Sequence, residues 1–515
     1  MTTEAVTTGI SAVALPLGGS ALTQAALAGS VPHGWYLPAP RSSKEWAARC
    51  REVARSDDEW LRALRPALGP GARLLDRVAR GGVVVTTGQQ AGLFGGPLFT
   101  ILKAFTALEL AREMERATGT PAVPVFWAAS DDADFTEAAS TVVPGASGPE
   151  RLTLTAAPED GVPMSEALLG GEVHELYEQL CAASGSGADV RPLDAAGAFA
   201  PGATIGGAYV QMLRELLEPL GIAVLDAAHP AVGDASRVLL EQALNGAHRI
   251  HAAVGDRQRA IESAGFSPQV DTERGLSLVF GWRPLASGRA SKRRIPLGDT
   301  PHSQTSRLSP NVLLRPVVER YMLPTVAYVG GPGEIAYFSQ VTAVADALGI
   351  PSAVVVPRWS GMLIPDDTAA AMAGLGLSVE DLRDQHAAEG RIAAAAVPTN
   401  AQDAVASLRD AHERELGRLD GALGPRAIAG MRAQFEMRVQ KLERRLRAAA
   451  KHREQATMRQ IAAARGLLYP FGQAQDRALN TVPLWSRFGD GFIDAIRPPV
   501  AAHARRMVTG AAPVV

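Results

Sequence analysis

A run of valines that gives way to glycines, Val83–Val84–Val85–Thr86–Thr87–Gly88–Gln89–Gln90–Ala91–Gly92–Leu93–Phe94–Gly95–Gly96–Pro97, constrains this chain more than any other part of it. The β-branched residues favour a short buried strand. The glycines let the backbone turn tightly and come close to a ligand. Pro97 can open a helix, and the spacing of Leu98, Ile101, Leu102, Phe105 and Leu108 predicts one from about Leu98 toward Thr118. Strand, glycine turn and helix N-terminus together form a cradle for a phosphate or a carboxylate, because the first-turn N–H groups point at the anion. The same residues also make a plain tight turn, so the motif needs company before it carries a function.

That company follows in order. Pro121–Trp127 reads as a second buried strand and ends in Asp131, Asp132, Ala133 and Asp134. Strand, helix and strand over this span make a βαβ unit with a right-handed crossover and parallel strands. Ligands of such sheets bind beyond the carboxyl ends of the strands, so the glycine turn and the acidic turn open on the same side. Clustered carboxylates there can bind an amine, hold Mg²⁺ or act as a general base; they also suit a plain helix N-terminus. Gly221–Asp226, Pro324–Val329 and Pro351–Val356 read as three more strands. Gly330–Gly331–Pro332–Gly333–Glu334 repeats the strand–glycine–helix logic, and Glu334 suits either a ligand or the first-turn dipole. The expected fold is α/β, a Rossmann-like, mostly parallel sheet.

Composition removes several alternatives. The formal charge is −2 over 515 residues, so no basic field points to nucleic acid. Two cysteines, Cys50 and Cys181, are too few for a disulfide framework or a zinc cluster. No secretory signal and no membrane span are read, and a reducing cytoplasm is the expected location. GxSxG, HExxH and GxxxxGK[ST] are all missing. His229, His248, His251 and His302 give no metal spacing beyond the His248–His251 pair, which reads as surface, so no metal site is expected.

Around the sheet the signals are weaker. Residues 1–40 read as an extended arm with Trp35 and Tyr36 as docking points. Residues 42–80 read as two covering helices, the first capped by Ser43. Segments of roughly 140–200 and 266–305 read as insertions in a core spanning 1–400. A long helix is expected over Ala231–Ala264, and one from Asn311 to Glu319. The second insertion reads as a hairpin whose basic cluster, Arg289, Lys292, Arg293 and Arg294, suits a solvated loop or a phosphate partner. From Ala401 the apolar residues step by threes and fours, with a break at Gly424–Pro425. Phe435, Val439, Leu442, Leu446 and Ala449 then form a seam. Residues 401–466 therefore read as an antiparallel coiled-coil hairpin, and 467–515 as a tail that docks again on the core.

The strings TTGQQAGLFGGPLFTILKA (86–104), PVFWAASDDADF (124–135), SPNVLLRPVVERYMLPTVAYVGGPGEIAYFSQ (309–340), PRWS (357–360) and LYPFGQAQDRALN (468–480) are carried in order along the chain. Together they resemble the bacillithiol-biosynthesis cysteine-adding enzyme family. The resemblance implies a core shaped like the class I nucleotidyltransferases, a C-terminal coiled coil and a homodimer. It implies a ligase that forms an amide between L-cysteine and glucosaminyl malate, with ATP activating the carboxyl and Mg²⁺ as an accompanying candidate.

The same resemblance assigns residues. Gly88, Gln89, Gln90, Gly92, Gly95 and Gly96 would line a substrate or nucleotide pocket. Asp132 and Asp134 would contact the amine or a metal. Gly330, Gly331, Gly333 and Glu334 would form the opposite wall, with Asn311, Arg315 and Tyr337 nearby, and the catalytic set would be Asp132, Asp134 and Glu334. Two positions depart from the family pattern: Ala133 and Leu102 stand where histidines are usual, which bears on proton transfer. Other readings are a nucleotidyltransferase or ligase acting on another amino sugar, and a non-catalytic scaffold that keeps the old pocket. Product formation separates the first reading from these.

Overall fold

The computed structural model describes residues 9–145, 148–299, 307–384, 386–419 and 421–510; His302 lies outside them. The chain divides into two compact units. One comprises Met1–Val143, Arg151–Leu363 and Asp476–Val515; the other comprises Pro144–Glu150 and Ile364–Gln475.

The first unit is built on the valine run. Val83–Gln90 (β1), Ala122–Ala129 (β2) and Ala223–Asp226 (β3) pair in parallel. A separate antiparallel sheet follows, made of Leu276–Pro284 (β4), Ala290–Pro296 (β5) and Leu308–Pro310 (β6). Thr325–Gly330 (β7) and Val354–Pro357 (β8) then return to the parallel sheet, giving the order β8-β7-β1-β2-β3. The expected α/β architecture with a five-stranded parallel sheet is present.

The two-residue period of a strand explains why the run is valine throughout. Val84 faces a cluster with Leu61, Leu64, Val125 and Leu239. Val83 and Val85 face the other layer, with Trp46, Leu110, Met114 and Val326. Each fully buried valine contributes about 1.5–3 kcal/mol, so neither face tolerates a polar residue. The crossover helix Phe99–Thr118 (α1) packs between the sheet and further helices and is buried on most sides. Gly119, with φ of 70°, ends it in the left-handed conformation.

Several local expectations change. The N-terminal arm is structured from Ile10: a strand spans Ile10–Ala14, and Ser20 caps a helix over Ala21–Leu27. Trp35 is buried, and the Tyr36 hydroxyl bonds the Ala336 carbonyl at 3.4 Å. Ser42, not Ser43, caps the first covering helix. The long helix expected over Ala231–Ala264 is two, Pro230–Asn245 and Ala247–Ser263, broken at Gly246; glycine is a poor interior helix residue. The helix expected from Asn311 starts at Arg315 (α2, Arg315–Met322) because the Asn311 side chain accepts the Leu314 N–H in the preceding turn. Pro332–Leu348 (α3) follows the second glycine turn.

In the second unit, Thr399–Arg418 (α4) and Pro425–Arg453 (α5) form the expected coiled-coil hairpin. Val439 is buried in the seam and His412 stacks on Phe435 at 3.8 Å. Arg409 bridges Glu436 and Glu443 across the two helices. Among the described residues no helix is long and apolar enough to cross a membrane.

Candidate active site

A cavity of about 770 Å³ opens at the carboxyl ends of β1 and β2 and the N-terminus of α3, entirely within the first unit. Gly88, Gln89, Gln90, Asp132, Asp134, Asn311, Arg315, Gly331, Gly333, Glu334 and Tyr337 line it. Eleven of the fifteen residues singled out from sequence thus meet in one place.

Gly92, Gly95, Gly96 and Gly330 are not in the lining. The 92–96 turn is a buried structural turn instead. The N–H groups that an anion would need are taken by carbonyls, Leu98 donating to Leu479 at 2.8 Å, Gly95 to Gly92 at 3.0 Å and Gly96 to Leu93 at 3.1 Å, while Asn480 Nδ2 donates to the carbonyls of Phe94 at 2.9 Å and Gly96 at 3.2 Å. Phe94 itself adopts φ of 50° and packs edge-on against Phe199. The proposed phosphate cradle is therefore closed by protein. Gly88 does approach the neighbouring strand closely: a Cβ there would lie 2.7 Å from the Trp127 carbonyl oxygen on β2.

The centre of the site is a residue that the sequence reading passed over. Lys103, on the first turns of α1, is almost fully buried. Its ammonium donates to the Gly88 carbonyl and to Gln89 Oε1, each at 2.9 Å, and pairs with Glu334. Glu334 also accepts from the Gly331 N–H at 2.7 Å and from the Tyr328 hydroxyl. Burial would raise the Glu334 carboxyl, but the Lys103 ammonium and these hydrogen bonds outweigh it and hold it below the usual range. The N-terminus of α3 is thus capped by its own carboxylate, which is in turn neutralised by Lys103 and makes it a poor phosphate site.

Behind this pair lies a second one. Arg315 bonds Glu319 at 3.1 Å and the hydroxyls of Tyr328 and Tyr337 at 2.9 and 3.3 Å. Glu319 also accepts from Thr86 on β1. Burial pushes the Glu319 carboxyl up to about 7, against the opposing pull of Arg315 and Thr86.

The acidic turn divides its work. Asp131 accepts the Lys292 ammonium at 3.0 Å. Asp134 caps a short helix by accepting the Glu137 N–H. Asp132 accepts from Gln90 Nε2 at 2.8 Å and from the Asp134 N–H at 2.9 Å, which fixes its carboxylate on the cavity wall. Ala133 lines the cavity and Leu102 is buried in the core, so only the first of the two departures from the family pattern lies on the cavity wall.

The basic cluster is not a solvated loop throughout. Lys292 and Arg294 line the cavity from β5, with Arg307 just before β6, while Arg293 is exposed and pairs with Asp160. Alternation along β5 sends neighbours to opposite faces. Arg358, after β8, and Arg477 complete the cationic lining, and Arg358 pairs with Asp476. Among the described residues no group of three or more His, Cys, Asp or Glu side chains is arranged to hold a metal.

Comparison with known proteins agrees with this layout. Residues 73–281 and 292–359 match the family model described as bacillithiol biosynthesis BshC, N-terminal Rossmann-like domain. Residues 362–507 match the one described as bacillithiol biosynthesis BshC, C-terminal coiled-coil domain. A protein of Koribacter versatilis named "Putative cysteine ligase BshC" is 30% identical over 85% of this chain and 86% of its own length. Proteins with the same name from Solibacter usitatus (30% identical, 82% of this chain and 83% of the relative) and Salinibacter ruber (29%, 84% and 82%) are similar to it. With both domain models matched in order over most of its length, this chain belongs to the BshC family of bacillithiol biosynthesis.

Proposed function

We propose that this protein is a cysteine ligase that forms an amide between the carboxyl of L-cysteine and the amine of glucosaminyl malate, with ATP activating the carboxyl. The observation that carries this reading is the meeting, within one cavity, of hydrogen-bonded and cation-bound carboxylates (Asp132, Glu334) with buried cations (Lys103, Arg315, Arg358). Such a lining suits an amino acid and an acidic amine acceptor together. Asp132, held by Gln90 and the Asp134 N–H, is placed to orient the acceptor amine and take its proton as the nitrogen attacks the activated carbonyl. The C–N bond forms as the activating group departs with its electron pair. Lys103 and Arg315 supply positive charge for oxygen in the transition state.

ATP, when bound, supplies the leaving group that a free carboxylate lacks. A cavity of about 770 Å³ with several cationic side chains fits a nucleotide beside a small substrate. Mg²⁺ is proposed to enter with the triphosphate, since the described residues offer no three-ligand cluster for it. A homodimer through the hairpin is also proposed, supported by the exposed Leu408, Met431, Met437 and Leu442 on α4 and α5. A cytoplasmic location is proposed from the substrates, ATP and cysteine.

Mass spectrometry of the purified protein with cysteine, glucosaminyl malate and ATP tests the reaction. The expected result is the amide product, lost in Asp132→Ala and Glu334→Ala. Full activity in both variants would overturn the site assignment, and no product from the wild type would overturn the reaction.

A further inference from the structure

The cations lining the cavity are not equally matched. Lys103 pairs with Glu334, Lys292 with Asp131, Arg315 with Glu319 and Arg358 with Asp476. Arg477 also lines the cavity and has no ion pair among the described residues; Arg294 and Arg307 share that state and flank β4, one on β5 and one just before β6. Among the described residues no carboxylate lies within ion-pairing distance of either. Arg294 donates Nε to the Ser277 carbonyl at 2.6 Å, and Arg307 donates to the Ala228 carbonyl. Both are held against aromatic rings: Arg307 stacks 3.7 Å over Trp282, and Arg294 lies 5.5 Å from the centre of Phe280. Glu273 acts on Arg294, and Asp131, Glu166 and Asp226 act on Arg307, only at longer range.

A third donor belongs to the same lobe. Trp127 lines the cavity and is 3% exposed, and its Nε1–H has no partner. On the sheet Trp127 is in register with Leu225, two residues before Ala227, which lines the same cavity. A buried indole N–H without an acceptor costs about 1–3 kcal/mol, a cost that a ligand oxygen would remove. Two guanidinium groups without a directly bonded carboxylate and one N–H without an acceptor suit a ligand with at least two anionic oxygens. The N-terminus of the helix Pro230–Asn245 borders the lobe at Val232 and Gly233, but Pro230 has no N–H and the Ala231 and Val232 N–H groups are taken by His229, so it makes a poor cradle for a phosphate chain. Phe280 lines the cavity beside Arg294, and Trp282 backs Arg307, so the lobe also has an apolar side suited to carbon between the charged groups.

We infer that Arg294, Arg307 and Trp127 form a subsite for a dicarboxylate. Resting on the ligase reading above, this is where the malyl end of the acceptor docks, leaving its amine toward Asp132. The planar guanidinium fork matches carboxylate geometry. Arg294 and Arg307 would then set acceptor specificity without touching the reacting atoms.

Binding and turnover test this separately. Thermal melting of the full chain is followed with millimolar L-malate, with acetate and with pyrophosphate, in the wild type, Arg294→Gln, Arg307→Gln and Arg307→Lys. Ligand that binds only the native state raises the melting temperature. The expected result is a rise with L-malate that acetate does not give, lost in both glutamine variants and partly kept in Arg307→Lys. Unliganded melting close to wild type shows that the variants fold. In the product assay the KM for glucosaminyl malate rises about tenfold or more in the glutamine variants, while the KM for cysteine stays put. No protection of the wild type by L-malate, or equal protection of the variants, overturns the subsite. So does an arginine-dependent rise with pyrophosphate alone, which would make it a phosphate site. Malate protection that depends on the arginines upholds the subsite even where no amide product forms, a result that would count against the ligase reading alone.

Discussion

Arg358 and Asp476 form an ion pair at 2.8 Å in which each side chain is only 2% exposed. Asp476 also accepts the Ser360 hydroxyl at 3.0 Å, and Arg358 reaches the wall of the cavity. Removing one member of a buried pair strands the other charge. Asp476→Asn should therefore destabilise the protein by about 3 kcal/mol in urea denaturation. The double variant Arg358→Met/Asp476→Leu should regain most of that loss but stay impaired in the product assay. Recovery of activity along with stability would show that Arg358 is only structural.

Glu334→Gln tests the central pair. It leaves the Lys103 ammonium buried and without its carboxylate, at a cost of about 3 kcal/mol. The pH dependence has a definite sign. A carboxyl held low in the folded state adds stability above its unfolded value, and that stability is lost as pH falls through the folded value. Wild type should thus lose more stability than Glu334→Gln on acidification below the ordinary carboxylate range. Parallel curves would show that the pair contributes no such term.

Glu319 predicts the opposite slope. Its carboxyl is raised to about 7 by burial, so the folded state binds the extra proton between the ordinary value of 4.5 and about 7. Stability from this group is complete below 4.5 and falls as pH rises toward 7. The change is about 3 kcal/mol at most. Denaturation of Glu319→Gln at pH values on either side of this window should show a smaller fall than wild type.

Gly88→Ala should damage both fold and site. The new Cβ meets the Trp127 carbonyl at 2.7 Å, and backbone cannot swing aside as a side-chain tip can. The β1–β2 register must shift, at about 1–3 kcal/mol. The Gly88 carbonyl that holds Lys103 moves with it. A lower melting temperature together with a lower kcat is expected; an unchanged kcat would separate Lys103 from turnover.

Asn480→Ala removes the two N–H donors of one fully buried amide, shared among the carbonyls of Phe94 and Gly96 and the Thr141 hydroxyl, and the acceptor for the Val482 N–H. About 2–4 kcal/mol should be lost on denaturation. Asn480→Asp should be at least as damaging, because a carboxylate offers no N–H to these carbonyls.

The parts of this fold that sequence made legible are those with short-range signals. Valine runs, glycine turns and the seam of the hairpin all announce themselves within a few residues. Lys103 did not, because a lysine on a helix buried on most sides looks like a break in an apolar pattern; only the fold shows that Gly88 and Glu334 meet it. Lys292 and Arg294 lie in a dense basic run, where charge hides the strand alternation that separates them from Arg293. The 92–96 turn misled for a different reason. Its composition matches an anion cradle, and the groups that close it, the Leu479 carbonyl on the Leu98 N–H and the Asn480 amide on the turn's carbonyls, come from far along the chain.

That distance has a consequence for how the protein is made. Chains emerge from the ribosome N-terminus first, and domains fold as they emerge. Here the first unit is left at Leu363 and rejoined only at Asp476, after the whole second unit has been synthesised. Until then Arg358 has no counter-charge and the carbonyls of Phe94 and Gly96 have no donor. The nascent core must therefore wait with its binding cavity unfinished, and a chain stopped before Asp476 would expose an unmatched interior to chaperones and proteases rather than a smaller working enzyme.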